Sequence, residues 1–244
     1  MSALENQILI MGHRGASAIV PENTLKAFEK AIDLKADYIE FDVQETLDGE
    51  LVISHDEDIK RITGHNGIIS KMTLDELKML DFGESEKIPT LEELVKLTKN
   101  RIKLNCEIKV KGITEKVINI FRKWDILDTS IVSSFIHEEL LVIQKIAPSI
   151  KLASLEPTPG TTKIDWGKKK EMIEYCINNK LYAINPIVMM VDQQFIDFAH
   201  ANNIRVFPWT VDSKIAIKKL IRLGADGIIT NDITKVKDIL QSYS

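Results

Sequence analysis

Cysteine is scarce in this chain: Cys106 and Cys176 stand far apart, with no CxxC pair and no Cys/His spacing around them. That pattern argues against a disulfide framework and a thiolate zinc site, and leaves both residues as small core side chains. No apolar run reaches about 18 residues, and the start "MSALENQILIMGHRG" lacks the cationic-then-apolar order of a secretory leader. No stable membrane insertion is therefore expected, and the cytoplasm is the expected location. A basic excess is missing too: 32 Lys and Arg face 36 Asp and Glu, for a formal charge of -4, which argues against a nucleic-acid partner. The GxSxG elbow, the P-loop and GxGxxG are all absent, which removes the serine hydrolases and gives no support to P-loop or Rossmann nucleotide binding.

What the 244 residues do hold is apolar content, 44%, sufficient for a full core. Eight runs rich in branched residues read as strands: "QILIMG", "DYIEFDV", "IKLNCEIKV", "TSIVSSF", "IKLASLE", "LYAINP", "IRVFPWTV" and "DGIIT". Amphipathic segments separate most of them, as in "NTLKAFEKAIDL", where Leu25, Phe28, Ala31 and Ile32 fall on one stripe. Strand and helix in alternation imply a parallel α/β sheet, and eight units favour a closed (β/α)8 TIM barrel over an open doubly wound sheet.

One connection breaks the rhythm, with about 58 residues between the second and third strand candidates. "ELVISHD" inside it reads as an extra strand after the Asp48-Gly49 turn. "TLDELKML" and "TLEELVKL" carry capping boxes, Thr73 with Glu76 and Thr90 with Glu93, each opening a helix. No Ser/Gly-rich or Pro-rich linker isolates this stretch. The expectation is one domain over residues 1–244, with an insertion after the second barrel strand at about 47–100.

Chemistry enters through the strands. Residues two apart share a face, so Glu40, Asp42 and Gln44 point one way while Ile39, Phe41 and Val43 point the other. The next strand repeats the design, with Asn105, Glu107 and Lys109 opposite Leu104, Cys106 and Ile108. Three inward carboxylates repel each other and lose hydration unless cations compensate. An all-oxygen set suits Mg2+ or Ca2+ rather than zinc. A structural salt-bridge network with Lys109 is equally compatible with these residue types, but the acids lie toward the C-terminal ends of strands, where barrel active sites form.

"MGHRGAS" follows the first strand and sets His13 beside Arg14, with Gly12 and Gly15 permitting a sharp turn; "ISHDED" supplies His55 after the extra strand. Two histidines on the rim that carries the acids favour acid/base work, one giving a proton and the other taking one. His65, His137 and His200 are expected to face solvent, and the Lys168 to Lys170 run reads as a solvated helix face.

Taken in order, "HRG" at 13–15, "PENT" at 21–24, "ADYIEFDVQETLDGELVISHD" at 36–56, "IPTLEEL" at 88–94, "EIK" at 107–109, "SSF" at 133–135, "WTVD" at 209–212 and "GADGIITN" at 224–231 resemble the glycerophosphodiester phosphodiesterase family, within the phosphatidylinositol phosphodiesterase-like barrel superfamily. Each piece alone is weak, but the ordered set is highly specific. The resemblance implies a barrel with a small insertion, a divalent cation at Glu40, Asp42 and Glu107, His13 and His55 as general acid and base, and phosphate contacts from Arg14 and Lys109. It implies a small-molecule substrate such as glycerophosphocholine or glycerophosphoethanolamine, cleaved to glycerol 3-phosphate and an alcohol. Trp209, with Phe135 as a second candidate, would pack against the glycerol carbons; a rim aromatic closing the barrel mouth accounts for Trp209 equally well. Departures from the family pattern are Leu47 where lysine is common, Met11-Gly12 before "HRG", and a last motif without its usual proline; none falls on a proposed ligand or catalyst. The alternatives are a lipid-directed phospholipase D-like enzyme on the same fold and a non-catalytic metal- or phosphate-binding module.

Overall fold

A computed structural model describes residues 8–243. Nine strands are present among them: β1 (Leu9–His13), β2 (Tyr38–Glu45), β3 (Leu51–Ile53), β4 (Lys103–Ile108), β5 (Ile131–Ser134), β6 (Lys151–Glu156), β7 (Ala183–Pro186), β8 (Arg205–Val206) and β9 (Gly227–Thr230). Ten helices accompany them: α1 (Leu25–Asp33), α2 (Lys60–Thr63), α3 (Leu74–Met79), α4 (Leu91–Thr98), α5 (Thr114–Lys123), α6 (His137–Ile146), α7 (Trp166–Asn178), α8 (Gln193–Ala201), α9 (Lys214–Leu223) and α10 (Ile233–Gln241). All eight strand candidates and the extra strand form where the patterning placed them.

The parallel strands run in the order β8-β7-β6-β5-β4-β2-β1-β9, with β3 antiparallel to the outer end of β2. At the seam, Asp226 N donates to Val206 O (3.2 Å), Ile229 N to Pro208 O (3.0 Å) and Val211 N to Ile229 O (2.9 Å). These bonds bring β8 to β9 and make the sheet a (β/α)8 barrel. The run "IRVFPWTV" yields only two residues of regular strand because Pro208 has no N–H to donate, so the ladder stops before it.

Period-two alternation sorts the side chains into two cores. Ile39, Phe41 and Val43 of β2 join the helices in the outer core, while Met11, Tyr38, Ile131, Ala153, Ala183, Phe207 and Ile229 form a separate cluster within the barrel. Cys106 and Cys176 are buried and unbridged. Helix starts follow their caps: Thr24 accepts from Ala27 N, and the reciprocal boxes Thr73/Glu76 and Thr90/Glu93 are both formed.

The insertion has its own small core of Val52, Ile59, Ile69, Leu77, Phe82 and Ile88. Leu51 and Ile53, flanking Val52 in the sequence, belong instead to the main core. Strand β3 therefore pins the insertion to the barrel and carries His55 to the rim.

Two expectations need correction. His137 does not face solvent: its side chain is 17% exposed, its ring stacks on Tyr175 at 4.7 Å, and its Nε2 lies 3.5 Å from Glu156 Oε1. The reason is position, since His137 is the first residue of α6 and lies against the end of β6 and the flank of α7. Nor is the lysine run uniformly solvated, because Lys169 reaches across to Asp192, the N-cap of α8, at 2.6 Å. His65 is exposed as expected, and His200, 39% exposed, pairs with Asp226 at 2.8 Å.

Candidate active site

Strand register brings the acids together. Asp42 lies beside Glu107 and Glu40 beside Asn105 in the β2–β4 pairing, while His13 lies beside Glu40 in the β1–β2 pairing. One oxygen from each of Glu40, Asp42 and Glu107 falls within 4.8 Å of the others, and the residues are only 4%, 1% and 7% exposed. Burial, reinforced by Asp42 and Glu107, holds the Glu40 carboxyl well above the usual range; burial and Asp42 push Glu107 up to about 7. Asp42 differs: burial pushes it up, but Lys109 and Arg14 outweigh burial and hold it below its ordinary value.

The salt-bridge network expected as an alternative is present in part. Lys109 Nζ lies 2.8 Å from Glu107 Oε1 and 3.4 Å from Asp42 Oδ1, and Arg14 Nε lies 3.5 Å from Asp42 Oδ2. It does not balance the site. Two side-chain cations face three carboxylates, Asp42 Oδ1 accepts no hydrogen bond, and the direct hydrogen bond to Glu40 comes from the Arg14 backbone N–H. A buried all-oxygen cluster left under-neutralised is the donor set a hard divalent cation requires, so the residues present fit such an ion.

The turn after β1 aims both ends of Arg14 at this cluster. Arg14 adopts a left-handed backbone (φ 55°), its N–H donating to Glu40 Oε2 at 3.0 Å and its Nη1 to Glu22 Oε1 at 2.9 Å. Gly15 follows at φ 85°, where a Cβ would come within 2.8 Å of the Ala27 carbonyl oxygen in α1. Only glycine fits both the angle and that approach.

Each rim histidine is held from behind. His13 Nδ1 lies 2.7 Å from Asn231 Oδ1, and Asn231 Nδ2 donates to Asp212 Oδ2 at 2.6 Å. Asp212 also accepts from Thr230 Oγ1 and the Asn231 backbone N–H, and Ser17 Oγ donates to Asn231 Oδ1, so the Asn231 amide nitrogen faces Asp212 and its oxygen faces His13. The proton of a neutral His13 then belongs on Nδ1, leaving Nε2 bare. Burial and the neighbouring Arg14 hold the His13 pKa below its ordinary value. His55 Nδ1 lies 2.6 Å from Asp56 Oδ1; Asp56 Oδ2 meets Arg61 Nε at 2.5 Å, and Arg61 Nη2 meets Glu22 Oε1 at 2.6 Å. This chain of charges ties the insertion, through Glu22, back to Arg14.

His13, Arg14, Glu40, His55, Glu107, Phe135 and Trp209 line one cavity of about 270 Å³. Asp42 and Lys109 complete the charged cluster through Lys109 Nζ, which meets both Asp42 and the cavity-lining Glu107. Phe135 and Trp209 meet edge-to-face at 5.6 Å, and Trp209 Nε1 donates to Asn185 O at 2.8 Å. The sequence-derived site residues therefore converge. What sequence reasoning did not single out are the supports, Asn231, Asp212, Glu22 and Arg61. Glu22, Asp212 and Asn231 fall inside the motifs "PENT", "WTVD" and "GADGIITN", which was the available signal, whereas Arg61 lies outside every motif.

The sequence model of the Glycerophosphoryl diester phosphodiesterase family matches residues 13–235. A glycerophosphodiester phosphodiesterase of Caldanaerobacter subterraneus subsp. tengcongensis is 38% identical over 237 residues, spanning 92% of this chain and 94% of that one. An Oleispira antarctica phosphodiesterase, solved in complex with the product sn-glycerol-3-phosphate, superposes with a TM-score of 0.84 at 25% identity, covering 96% of each chain. The glycerophosphodiester phosphodiesterase of Thermotoga maritima gives 0.79 at 28% identity, covering 97% of this chain and 98% of that one. With the barrel, the acidic cluster and the paired histidines in place, the chain belongs to the glycerophosphoryl diester phosphodiesterase family and is an enzyme of that activity.

Proposed function

We propose that this enzyme hydrolyses small glycerophosphodiesters such as glycerophosphocholine or glycerophosphoethanolamine to glycerol 3-phosphate and an alcohol, using a divalent cation, Mg2+ or Ca2+, and two histidines. The observation that carries the reading is the meeting of Glu40, Glu107, Arg14 and both rim histidines on one cavity of about 270 Å³. The product named for the Oleispira antarctica neighbour supports the glycerol phosphate end of the substrate. One domain performs the reaction, with residues 47–100 serving to carry His55 rather than acting independently.

A phosphodiester is an anion with a poor alkoxide leaving group, so charge must be offset and the departing oxygen protonated. Glu40, Asp42 and Glu107 would hold the cation, which when bound supplies positive charge for the phosphoryl oxygens and acidity for the attacking hydroxyl. Arg14, on the cavity, and Lys109, paired with Glu107, would add positive charge toward the same anion. His13, backed by a neutral amide and flanked by Arg14, starts neutral and takes the proton of the glycerol 2-hydroxyl through Nε2. His55, its ring fixed by Asp56 Oδ1 at 2.6 Å from Nδ1, is the second histidine on the cavity and gives a proton to the leaving oxygen. The 2-oxygen bonds to phosphorus as the headgroup alcohol departs, leaving a cyclic phosphate. Water then opens the ring as the histidines exchange roles. Phe135 and Trp209 would flank the glycerol carbons and keep bulk water from the reacting atoms.

The direct test follows glycerol 3-phosphate release from several glycerophosphodiesters, with and without each cation. Release that needs neither Mg2+ nor Ca2+ removes the metal from the mechanism; no release from any of them removes the substrate assignment.

A further inference from the structure

Two residues of the loop between β1 and α1 adopt the left-handed backbone, Arg14 (φ 55°) and Asn23 (φ 56°), and they clasp each other, the Asn23 N–H donating to Arg14 O at 3.0 Å. Between them they hold two of the three acids. The Arg14 N–H reaches Glu40, and Asn23 Nδ2 donates to Asp42 Oδ2 at 2.9 Å. Asn23 is 3% exposed and directly precedes Thr24, the N-cap of α1, so its side chain is set by the fixed start of a helix. Its own Oδ1 has no hydrogen-bond partner, and neither has Asp42 Oδ1. Buried polar atoms are nearly always paired, and leaving one unpaired costs stability. Two bare oxygens on one hydrogen-bonded pair of side chains are acceptors that a hard cation and its water would satisfy.

We propose that Asn23 is a positioning residue of the cation site: its Nδ2 anchors Asp42 Oδ2, which leaves Asp42 Oδ1 free for the ion, and its Oδ1 accepts from a water that the ion carries. The inference rests on the cation reading above and adds a residue outside the three carboxylates that sets how tightly the ion is held. The direction of the amide follows from charge. Against burial, Lys109 and Arg14 keep Asp42 below its ordinary value and ionised; an ionised carboxylate only accepts, so the Asn23 nitrogen faces Asp42 and its oxygen is the atom left over. Outer hydrogen bonds of this kind orient a carboxylate ligand and tune its hold on a metal. Arg14 does not replace Asn23 in this task, because its Nε, 3.5 Å from the same Oδ2, makes no hydrogen bond and its Nη1 is committed to Glu22. The competing role for Asn23 is backbone alone, since asparagine is among the few residues besides glycine that tolerate the left-handed region. That role predicts that glycine, which adopts the angle freely, would serve as well.

Asn23→Gly separates the two roles, because it keeps the backbone angle and removes both amide atoms. Calorimetric titration with Mg2+ and with Ca2+ is expected to show the folded variant binding the ion about ten- to hundredfold more weakly than the wild type. The rise in Tm at a fixed ion concentration should shrink to match. Turnover of glycerophosphocholine by the variant should fall at low cation and recover at least in part as the cation is raised, a rescue that a purely structural defect would not show. An Asn23→Gly protein with wild-type affinity for the ion overturns the inference and leaves the cation reading standing. A wild type that binds neither ion overturns both, so the two failures are distinguishable. Should Asn23→Gly not fold, the wild type decides: the NMR signals of the Asn23 side-chain amide should shift as Mg2+ is added, along the calorimetric binding curve, and signals that stay in place through saturation overturn the role.

Discussion

His13 Nδ1 and Asn231 Oδ1 lie 2.7 Å apart although 218 residues separate them in the chain. Asn231 follows β9, His13 ends β1, and Asp212 follows β8, so the support behind this histidine spans the seam where the barrel closes. Ser17 Oγ, 2.8 Å from Asn231 Oδ1, adds a further contact to the same oxygen. Because the amide direction is dictated by Asp212, Asn231→Ala should leave His13 free to turn. We expect kcat to fall roughly ten- to hundredfold with KM nearly unchanged, and Asp212→Ala to show the same signature more weakly. Steady-state kinetics on folded variants checks this; a change in KM alone would contradict the orienting role.

Removing either histidine tests the acid/base assignment itself. His13→Ala and His55→Ala should each lower kcat by about 10²–10⁴. Near wild-type turnover of glycerophosphocholine by a folded variant of either kind would show that the pair does not move the protons.

The acidic cluster predicts that both stability and activity respond to a divalent cation. Mg2+ or Ca2+ should raise Tm, by the equivalent of about 2.7 kcal/mol at a hundredfold excess over Kd. Chelation should abolish turnover. In Glu40→Gln a repelling carboxyl is gone, so the cation-free protein should melt no lower than wild type, while the cation-induced rise in Tm shrinks. Thermal denaturation of both proteins, with and without each ion, separates a cation site from a network balanced by Lys109 and Arg14 alone.

A pH effect should arise away from the cavity. Glu156, 3% exposed, is pushed up to about 7 chiefly by burial, against an ordinary value of 4.5. Its folded-state pKa exceeds the unfolded one, so the folded protein binds the extra proton between these values. The stability it contributes is fully present below about pH 4.5 and is lost as pH rises through about 7. Glu156→Gln should therefore stabilise the protein at pH 8 by on the order of 2–3 kcal/mol and have little effect at pH 4. Denaturant melts at the two pH values read the difference; equal effects at both would refute the ionisation argument.

Arg61 offers a test that separates positioning from stability. It is 53% exposed, so its pairs with Asp56 and Glu22 should contribute less than about 1 kcal/mol to folding. It nonetheless links the support of His55 to that of Arg14. Arg61→Ala should lower kcat several-fold with a Tm within a few degrees of wild type. Unchanged kcat would make the link incidental.

Much of this was legible in the residues because it depends on short-range periodicity. Period-two alternation in "YIEFDVQE" and "KLNCEI" determined which carboxylates face inward, Thr73/Glu76 and Thr90/Glu93 determined two helix starts, and the ordered motifs pointed to the family. His137 went the other way: in "SSFIHEEL" nothing local reveals that Tyr175 and Glu156 will cover its ring. Asn185 is similar, an ordinary polar residue in "LYAINP" until the barrel closes around it.

The sequence by itself determined the alternation of strands and helices, the inward face of each strand and the residue types available for acid/base and cation chemistry, all set by neighbours within a few positions. Only the tertiary structure decided which side chains support His13 and His55, how far the cationic groups neutralise the acids, and which buried amides go without partners. Those are distances between residues far apart in the chain, and they exist only once the last strand meets the first.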